Sequence, residues 1–495
     1  MSSEIIAERR KKRELLRAAG MDPYTAKTGK THTGAAVLAD FDALVSTAAV
    51  VTVAGRVMAV RLHGGSAFVD LFDGTEKLQL FLAKDSIGDE LFALFTDAID
   101  VGDFIEATGT PFVTKRETKA LGVTVWRVLT KSLEPIPSEH FGLKDEEARY
   151  RKRYLDILLD AELRQMFIQK AKFWEVTRQF MKDHGFLEVE TPTLEVTTGG
   201  AEARPFATHH NDYDMPVFMR ICIGELWQKR LMAAGYPKTF EIGRAYRNEG
   251  SSPEHLQEFT NLEFYWAYAD YHDGMIFVRD LYRTIAQEVF GTTKFEMRGH
   301  IFDLADDWVE IDYTDTIREK TGIDILTATE AEMAAKLSEL GVKYEGQNRE
   351  RLTDTLWKYC RKQIAGPAFL INHPKLVAPL AKTRPGTETV EMFQPIIAGS
   401  EVGRGYSELN DPDDQRARFE VQKALLDAGD DEAMMADWEF VEMLEYGMPP
   451  TCGFGFGERL FAFLAGKPLR ETQMFPLMKP KENVPPESDC PACEG

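Results

Sequence analysis

The stretch from Thr239 to Asp270, TFEIGRAYRNEGSSPEHLQEFTNLEFYWAYAD, constrains the fold more than any other part of the chain. Phe, Ile, Tyr and Trp recur at every second position on either side of a polar loop, Ser251 to His255, which is the period of an extended chain. Two such runs around one loop make a long antiparallel hairpin. In the second run Leu262, Phe264, Trp266 and Tyr268 form an apolar face, while Phe259, Asn261, Glu263 and Tyr265 occupy the other. Arg247 and Glu249 share a face of the first run, so one sheet surface offers a guanidinium, two carboxylates and two aromatic rings. A guanidinium grips carboxylate or phosphate with two hydrogen bonds, a ring stacks on a flat base, and a carboxylate holds an ammonium. A solvated hairpin with scattered charges satisfies the same period, and distant stretches must decide between the two.

Two late segments bear on that choice. AGSEVGRGYSELNDPDDQ places Arg404, Tyr406 and Glu408 on one strand face; Glu401 has the other parity and joins them only through a bulge, which Gly403 or Gly405 permits. In GMPPTCGFGFGERLFAFL, Gly453, Gly455 and Gly457 alternate, which strips one strand face of side chains and lets a flat ligand lie against the backbone. Glu458 and Arg459 then open an apolar helix, and an arginine beside a bare strand suits a polyphosphate.

The chain has 495 residues, enough for two or more domains, with 44% hydrophobic and 28% charged residues, the balance of a globular protein. A net charge of −21 repels polyanions on average, so any RNA contact must use local basic patches. No apolar run approaches the ~20 residues of a membrane helix, and MSSEIIAERRKKRELL lacks the apolar core of a secretory signal, so a cytoplasmic protein without a membrane partner is expected. Five cysteines, with Cys222, Cys360 and Cys452 far apart, make no disulfide framework. Cys490 and Cys493 have CxxC spacing but no second pair nearby, and their Pro- and Glu-containing tail, 483–495, is expected to be disordered.

Residues 4 to 19 read as a helix carrying Arg9 to Arg13; these charges either solvate a helix end or touch a phosphate backbone. From about Val50 to Pro137 five short β runs separated by Gly and Asp turns suggest a small Greek-key barrel of the OB type. Such barrels bind single-stranded nucleic acid by stacking bases on exposed aromatics. Phe68 and Gln79 are candidate base contacts, although Phe68 fits the barrel core equally well. A charged linker follows, then a helix from about Ala161 to His184 ended by Gly185. The strand FLEVETPTL comes next, and its Pro192 favours an edge. This helix and strand are either core or a dimer surface. Adjacent His209 and His210 on an extended chain point to opposite faces, which disfavours a metal site. The expected division is an N-terminal basic helical extension (1–45), the barrel (46–138), a linker (139–160), a catalytic domain (161–482) and the tail.

With FLEVETPTL, FEIGRAYRNEG followed by HLQEF and LEFYWAYAD, and GMPPTCGFGFGERL in hand, the chain resembles the class II aminoacyl-tRNA synthetases. GGAEARPFATHHN, RICIGELWQKRL and YSELNDPDDQ make it similar to the lysine enzymes of that family rather than the aspartate or asparagine ones. The resemblance runs from about Val50 to Pro480. It implies an α+β multidomain protein, with an OB-fold barrel that reads the anticodon through Phe68 and Gln79 and a catalytic domain built on an antiparallel sheet flanked by helices. It implies a homodimer through the first motif, ATP, L-lysine and tRNA(Lys) as partners, and Mg2+ as cofactor. Lysine would attack ATP to give lysyl-adenylate and pyrophosphate, and the acyl group would then pass to the 3′ end of the tRNA.

Carried over residue by residue, the resemblance implies that Arg247 binds the lysine carboxylate and the α-phosphate. Phe259 would stack on adenine, with Glu249 and His255 around the nucleotide, Gly455 and Gly457 beneath it, and Arg459 across the ring and toward the γ-phosphate. Arg247 and Arg459 would be the catalytic pair. Gly200 and Glu225 would hold the α-amino group, and Glu263, Tyr265, Tyr406 and Glu408 would surround the side-chain ammonium. Glu401 would ligate magnesium. The sequence departs from the family at Gln394, where a second magnesium-binding glutamate is usual, and at Arg404, where an asparagine is usual. Gln394 retains a carbonyl oxygen for the metal. Two like charges at ~4 Å repel by about 4 kcal/mol at an effective dielectric of roughly 20, so Arg404 is expected to pair with Glu401, Glu408 or a substrate carboxylate. The alternatives are a similar ligase of different amino-acid specificity and a non-catalytic tRNA-binding paralogue.

Overall fold

The computed structural model describes residues 2–137, 143–201, 203–250, 252–344, 346, 348–375, 378–429 and 433–480. Ser251 of the hairpin loop, His140 at the head of the linker and the Cys490/Cys493 pair lie outside them. The chain divides into two compact units, Met1–Glu146 and Glu147–Gly495.

The first unit is a closed barrel of β1 (Val51–His63), β2 (Ser66–Phe72), β3 (Lys77–Ala83), β4 (Phe104–Val113) and β5 (Lys119–Thr130), in the order β1-β2-β3-β5-β4. Alternation decides its interior. Ala67, Val69 and Leu71 of β2 and Leu78, Leu80 and Leu82 of β3 are at most 2% exposed, while the residues between them face out. A helix that the β pattern did not announce, Asp89–Ala98, plugs the barrel with Phe92 and Phe95, the latter edge-on to Trp126 at 5.2 Å. The N-terminal helix, Ser2–Ala18, lies on the barrel, and this disposes of much of its basic run. Arg9 donates to Ser132 Oγ (2.6 Å) and Val101 O (3.0 Å), and Lys12 pairs with Asp100 (2.7 Å). Those two charges are structural, a reading the sequence did not offer.

The second unit is organised by a nine-stranded sheet. Its strands are β6 (Leu187–Glu188), β7 (Lys238–Tyr246), β8 (Glu258–Ala267), β9 (Val309–Asp312), β10 (Ala368–Ile371), β11 (Met392–Ile397), β12 (Ser400–Glu401), β13 (Arg404–Ser407) and β14 (Thr451–Gly457). Their order is β9-β10-β11-β13-β14-β8-β7-β6, with β12 paired to β11. All pairings are antiparallel except β9 with β10 and β6 with β7. The hairpin of Thr239–Asp270 is β7 and β8, with Glu241 opposite Glu263 and Thr239 opposite Tyr265. Tyr268 does not belong to its apolar face. The strand ends at Ala267, and Tyr268, at φ +63°, is 79% exposed. FLEVETPTL is likewise not one strand: only Leu187–Glu188 joins the sheet, as its edge, and Leu194–Glu195 pairs elsewhere with Met215–Met219. Pro192, which can donate nothing to a ladder, sits in the break.

Helix Ala161–Asp183 starts at Asp160, whose side chain caps Leu163 N–H, and stops before Gly185 at φ +78°. Its stripe of Leu163, Met166, Phe167, Phe173 and Phe180 packs behind the sheet with helix Tyr271–Ile285. Phe264, Phe454 and Phe456 meet them from the sheet, each at most 3% exposed, and burial of each ring is worth roughly 1.5–3 kcal/mol. A smaller core around Tyr313, Leu356 and Trp357 holds the helices that follow β9.

Candidate functional site

Strand β14 fixes the site. It lies between β8 and β13, with Asn261, Glu263 and Tyr265 opposite Gly457, Gly455 and Gly453 on one side and Arg404 and Tyr406 opposite Gly455 and Gly453 on the other. Because side chains alternate, the phenylalanines of β14 go to the core and the glycines make a bare floor. Above that floor is a cavity of about 550 Å³. Gly200, Glu225, Arg247, Glu249, His255, Phe259, Glu263, Tyr265, Gln394, Glu401, Tyr406, Glu408, Gly455, Gly457 and Arg459 all line it, so the residues singled out for nucleotide, amino acid and metal meet in one place.

At one end the cavity is acidic. Helix Glu225–Ala233 begins at Gly224, in the left-handed region at φ +64°, and presents Glu225 to the cavity. Gly200, at φ +90°, passes so close that a Cβ there would strike Cys222 and Glu225. Glu263 accepts hydrogen bonds from Ile223 N–H (2.8 Å) and the Tyr265 hydroxyl (3.3 Å). Burial, followed by the nearby charge of Glu225, pushes its pKa up to about 7. Burial raises that of Glu408 well above the carboxylate range as well.

Lys229 was not among the residues singled out from the sequence. Its ammonium, 1% exposed, is 2.9 Å from Glu225 Oε1 and 2.5 Å from Glu408 Oε2, the second contact without the alignment of a hydrogen bond. Burial alone would push this ammonium down, but Glu225 and Glu408 outweigh it and hold it above its ordinary value. The signal was present: Lys229 stands four residues after Glu225, one helical turn along the same face. Tyr406 donates to Glu225. Fully ionised, Glu225, Glu263 and Glu408 would carry three negative charges against one fixed ammonium, so the pocket can take two further positive groups as its protonated carboxyls ionise. Cys222 Sγ lies within 4.8 Å of ligand atoms of Glu225 and Glu263, but its thiol donates to Gly199 O and burial raises its pKa well above normal, which opposes a thiolate metal site.

The other end suits a nucleotide. Arg247 follows the end of β7, donates from Nε to Ile221 O (3.3 Å) and lies 5.2 Å from the Phe259 ring centre, leaving a guanidinium and a flat ring together. Arg459 follows Glu458, a buried carboxylate held by Lys170 and by Thr260 N–H (3.0 Å), and donates to Glu254 O (3.0 Å). His255 is tied to Ser252 Oγ at 2.7 Å.

The third wall bears on Gln394 and Arg404. Gln394 lines the cavity with its Oε1 already accepting one hydrogen bond: it is 2.8 Å from Nε2 of buried His373, whose pKa burial pushes down to about 3, so the neutral ring donates to the amide and one lone pair of the oxygen is left over. Arg404 does not pair with Glu401 or Glu408. Glu401 accepts from Trp357 Nε1 (2.5 Å), Glu408 is taken by Lys229, and Arg404 lines the cavity exposed, with no hydrogen bond or ion pair among the described residues. Glu401 Oε1 is also 3.9 Å from Arg361 Nε, and its second oxygen, without a hydrogen bond among the described residues, is a fit ligand for a divalent ion.

On the barrel, Phe68 is not core. It pairs with Phe81 across β2 and β3, ring centres 5.0 Å apart, and Phe81 is 5.8 Å from Phe112. Gln79, opposite Asp70, shares that outer face, and Arg61 pairs with Asp70 at 2.7 Å. Phe81 and Phe112 were missed because β alternation does not tell which face turns inward. The two histidines lie on exposed strand Ala207–His210, His209 against Asp214 (3.1 Å) and His210 stacked on Tyr213.

A family description of class II tRNA synthetases (D, K and N) matches residues 145–479, and one of the OB-fold nucleic acid binding domain matches residues 51–129. Similar proteins include a lysine–tRNA ligase of Roseiflexus sp. (strain RS-1), 43% identical over 97% of this chain and 99% of its own length. Those of Thermotoga maritima and Bacillus subtilis are 40% and 41% identical, over 97% and 95% of this chain and 97% and 96% of theirs. The chain belongs to the class II tRNA synthetases of the D, K and N group.

Proposed function

We infer that the chain is a lysine–tRNA ligase, which joins lysine to ATP as lysyl-adenylate and then transfers the lysyl group to the 3′ end of tRNA(Lys) in protein synthesis. The observation that carries the choice of lysine is the buried cluster of Glu225, Glu263 and Glu408 with its single fixed ammonium: the α-ammonium and side-chain ammonium of lysine bring the count of charges to zero. A neutral side chain would leave a buried carboxylate unpaired, at a cost of a few kcal/mol.

The lysine carboxylate is itself the nucleophile, so the site positions and stabilises rather than attacking. Arg247 orients that carboxylate against the α-phosphorus and offsets the charge that develops there as pyrophosphate leaves. Phe259 and Arg459 sandwich the adenine over Gly455 and Gly457, with Glu249 and His255 at its edge. Gly200 and Glu225 hold the α-amino group, while Glu263, Tyr265, Tyr406 and Glu408 select the side-chain ammonium. Glu401 would hold a magnesium ion, which when bound would supply positive charge to phosphate oxygens. In the second step the terminal ribose hydroxyl attacks the acyl carbon and AMP departs.

The barrel reads the anticodon, Phe68 stacking on one base and Gln79 hydrogen-bonding another. A homodimer is supported by Ile168, Leu187, Leu194 and Val196, which are 48–63% exposed around the first motif. Cytoplasmic action accords with the absence, among the described residues, of any helix long and apolar enough to cross a membrane. Amino-acid-dependent ATP–pyrophosphate exchange with all twenty amino acids and β-lysine tests the proposal. Exchange with lysine alone is expected; exchange with a different amino acid refutes the specificity, and none at all refutes the activity.

A further inference from the structure

The wall of the cavity formed by Gln394, Glu401 and Arg404 carries one carboxylate, one amide and one guanidinium, so it has no net charge. A wall that gathers several divalent ions needs several free oxygen ligands. Here Gln394 is uncharged with its amide oxygen already hydrogen-bonded to His373, and one oxygen of Glu401 is bound by Trp357. Arg404 has the opposite character. It is exposed to the cavity, its strand neighbour Gly455 offers no side chain, and among the described residues it has no ion pair or hydrogen bond. Its charge is felt by Arg247, His373 and Tyr406, so two guanidiniums line one cavity and act on each other across it. Like charges so placed are relieved by an anion, and a guanidinium fork matches the oxygens of a phosphate.

We propose that Arg404 is a phosphate-binding residue, a fixed cation that grips the β- and γ-phosphate oxygens of ATP in place of a second divalent ion and leaves Glu401 to hold one. This deepens the function proposed above and rests on it. It also accounts for an arginine so near a pocket that selects a cation: Arg404 would direct its charge to the polyphosphate, while Glu408, four residues further along the chain, is occupied by Lys229.

The test is ATP binding by titration calorimetry, in EDTA and in magnesium, for the wild type, Arg404→Ala and Arg404→Lys, with electron paramagnetic resonance of Mn2+ titrated into the complex with ATP and lysine. The wild type is expected to bind ATP without metal. Arg404→Ala should weaken that binding about tenfold to a hundredfold, the worth of a lost charge-assisted contact, with a smaller loss in magnesium. Arg404→Lys should recover part of it, which a misfolded variant would not. One Mn2+ per active site is expected in the wild type. Equal binding by wild type and Arg404→Ala in EDTA, or two or more ions per wild-type site, would overturn the role of Arg404. Failure of the wild type to bind ATP even in magnesium would overturn the proposed function instead.

Discussion

Lysine binding is expected to expel a proton from Glu263. In the empty pocket burial and Glu225 hold this carboxyl up at about 7 against an ordinary value of 4.5, a difference of roughly 3 kcal/mol between its two protonation states. An arriving ammonium favours the ionised form and draws the pKa down again. Below neutral pH, therefore, the site must lose a proton before it can pair with its ligand. Apparent lysine affinity should fall about tenfold per pH unit from 7 to 5 and level off above about pH 8. Calorimetry in buffers of different ionisation enthalpy, from pH 5.5 to 8.5, gives both affinity and protons released. About one proton should be released near pH 6, and Glu263→Gln should abolish that proton while weakening lysine binding by about 2 kcal/mol. No release at pH 6, or the same release from Glu263→Gln, refutes the reasoning. The sign is checked independently by stability. A carboxyl whose folded pKa is raised stabilises the fold at pH below its unfolded value, and that contribution is lost as pH rises through about 7. The ligand-free melting temperature should thus fall between pH 5 and 7, and saturating lysine should remove the slope.

Four further outcomes are expected. Lys229→Met leaves Glu225 and Glu408 buried without their cation, a penalty of about 3–5 kcal/mol that should appear as a lower melting temperature and a raised lysine KM. In Gly453→Ala the new methyl would overlap Glu408 and the Tyr265 ring, so lysine activation should fall at least about a hundredfold while a stacking adenosine still binds. Arg247→Ala should abolish pyrophosphate exchange and leave tRNA affinity, read by filter binding, nearly unchanged. Phe68→Ala should weaken tRNA charging by about 1–3 kcal/mol, the worth of one stacked base, with exchange unaffected.

The hairpin and the glycine strand were readable because their chemistry repeats at period two, and a repeat of that kind places residues on faces without any knowledge of the rest of the chain. The barrel was readable as five strands for the same reason. Three features were hidden. Tyr268 and Pro192 show that period two persists past the point where a strand loses its partner, since hydrogen bonding between distant segments sets the ends. Lys229 was hidden because a lysine on a helix is usually solvated, and its burial depends on Glu408, 179 residues away. For Arg404 the choice among expected partners was hidden, because the two within the chain were already engaged, Glu401 by Trp357 and Glu408 by Lys229, and competition among partners is a property of the packed molecule.

Strand β14 turns one face to the aromatic core and the other, bare, to the ligand. A floor without side chains has no rotamers to freeze when a nucleotide arrives, so it adds contact without adding disorder to lose. It also offers almost nothing for mutation to adjust: a methyl on Gly453, Gly455 or Gly457 would collide with Glu408, Glu263 or Asn261. Relatives with new amino-acid preferences would then inherit this strand unaltered and diverge in the walls beside it, so that the seat for the shared substrate is passed on together with the core of the fold.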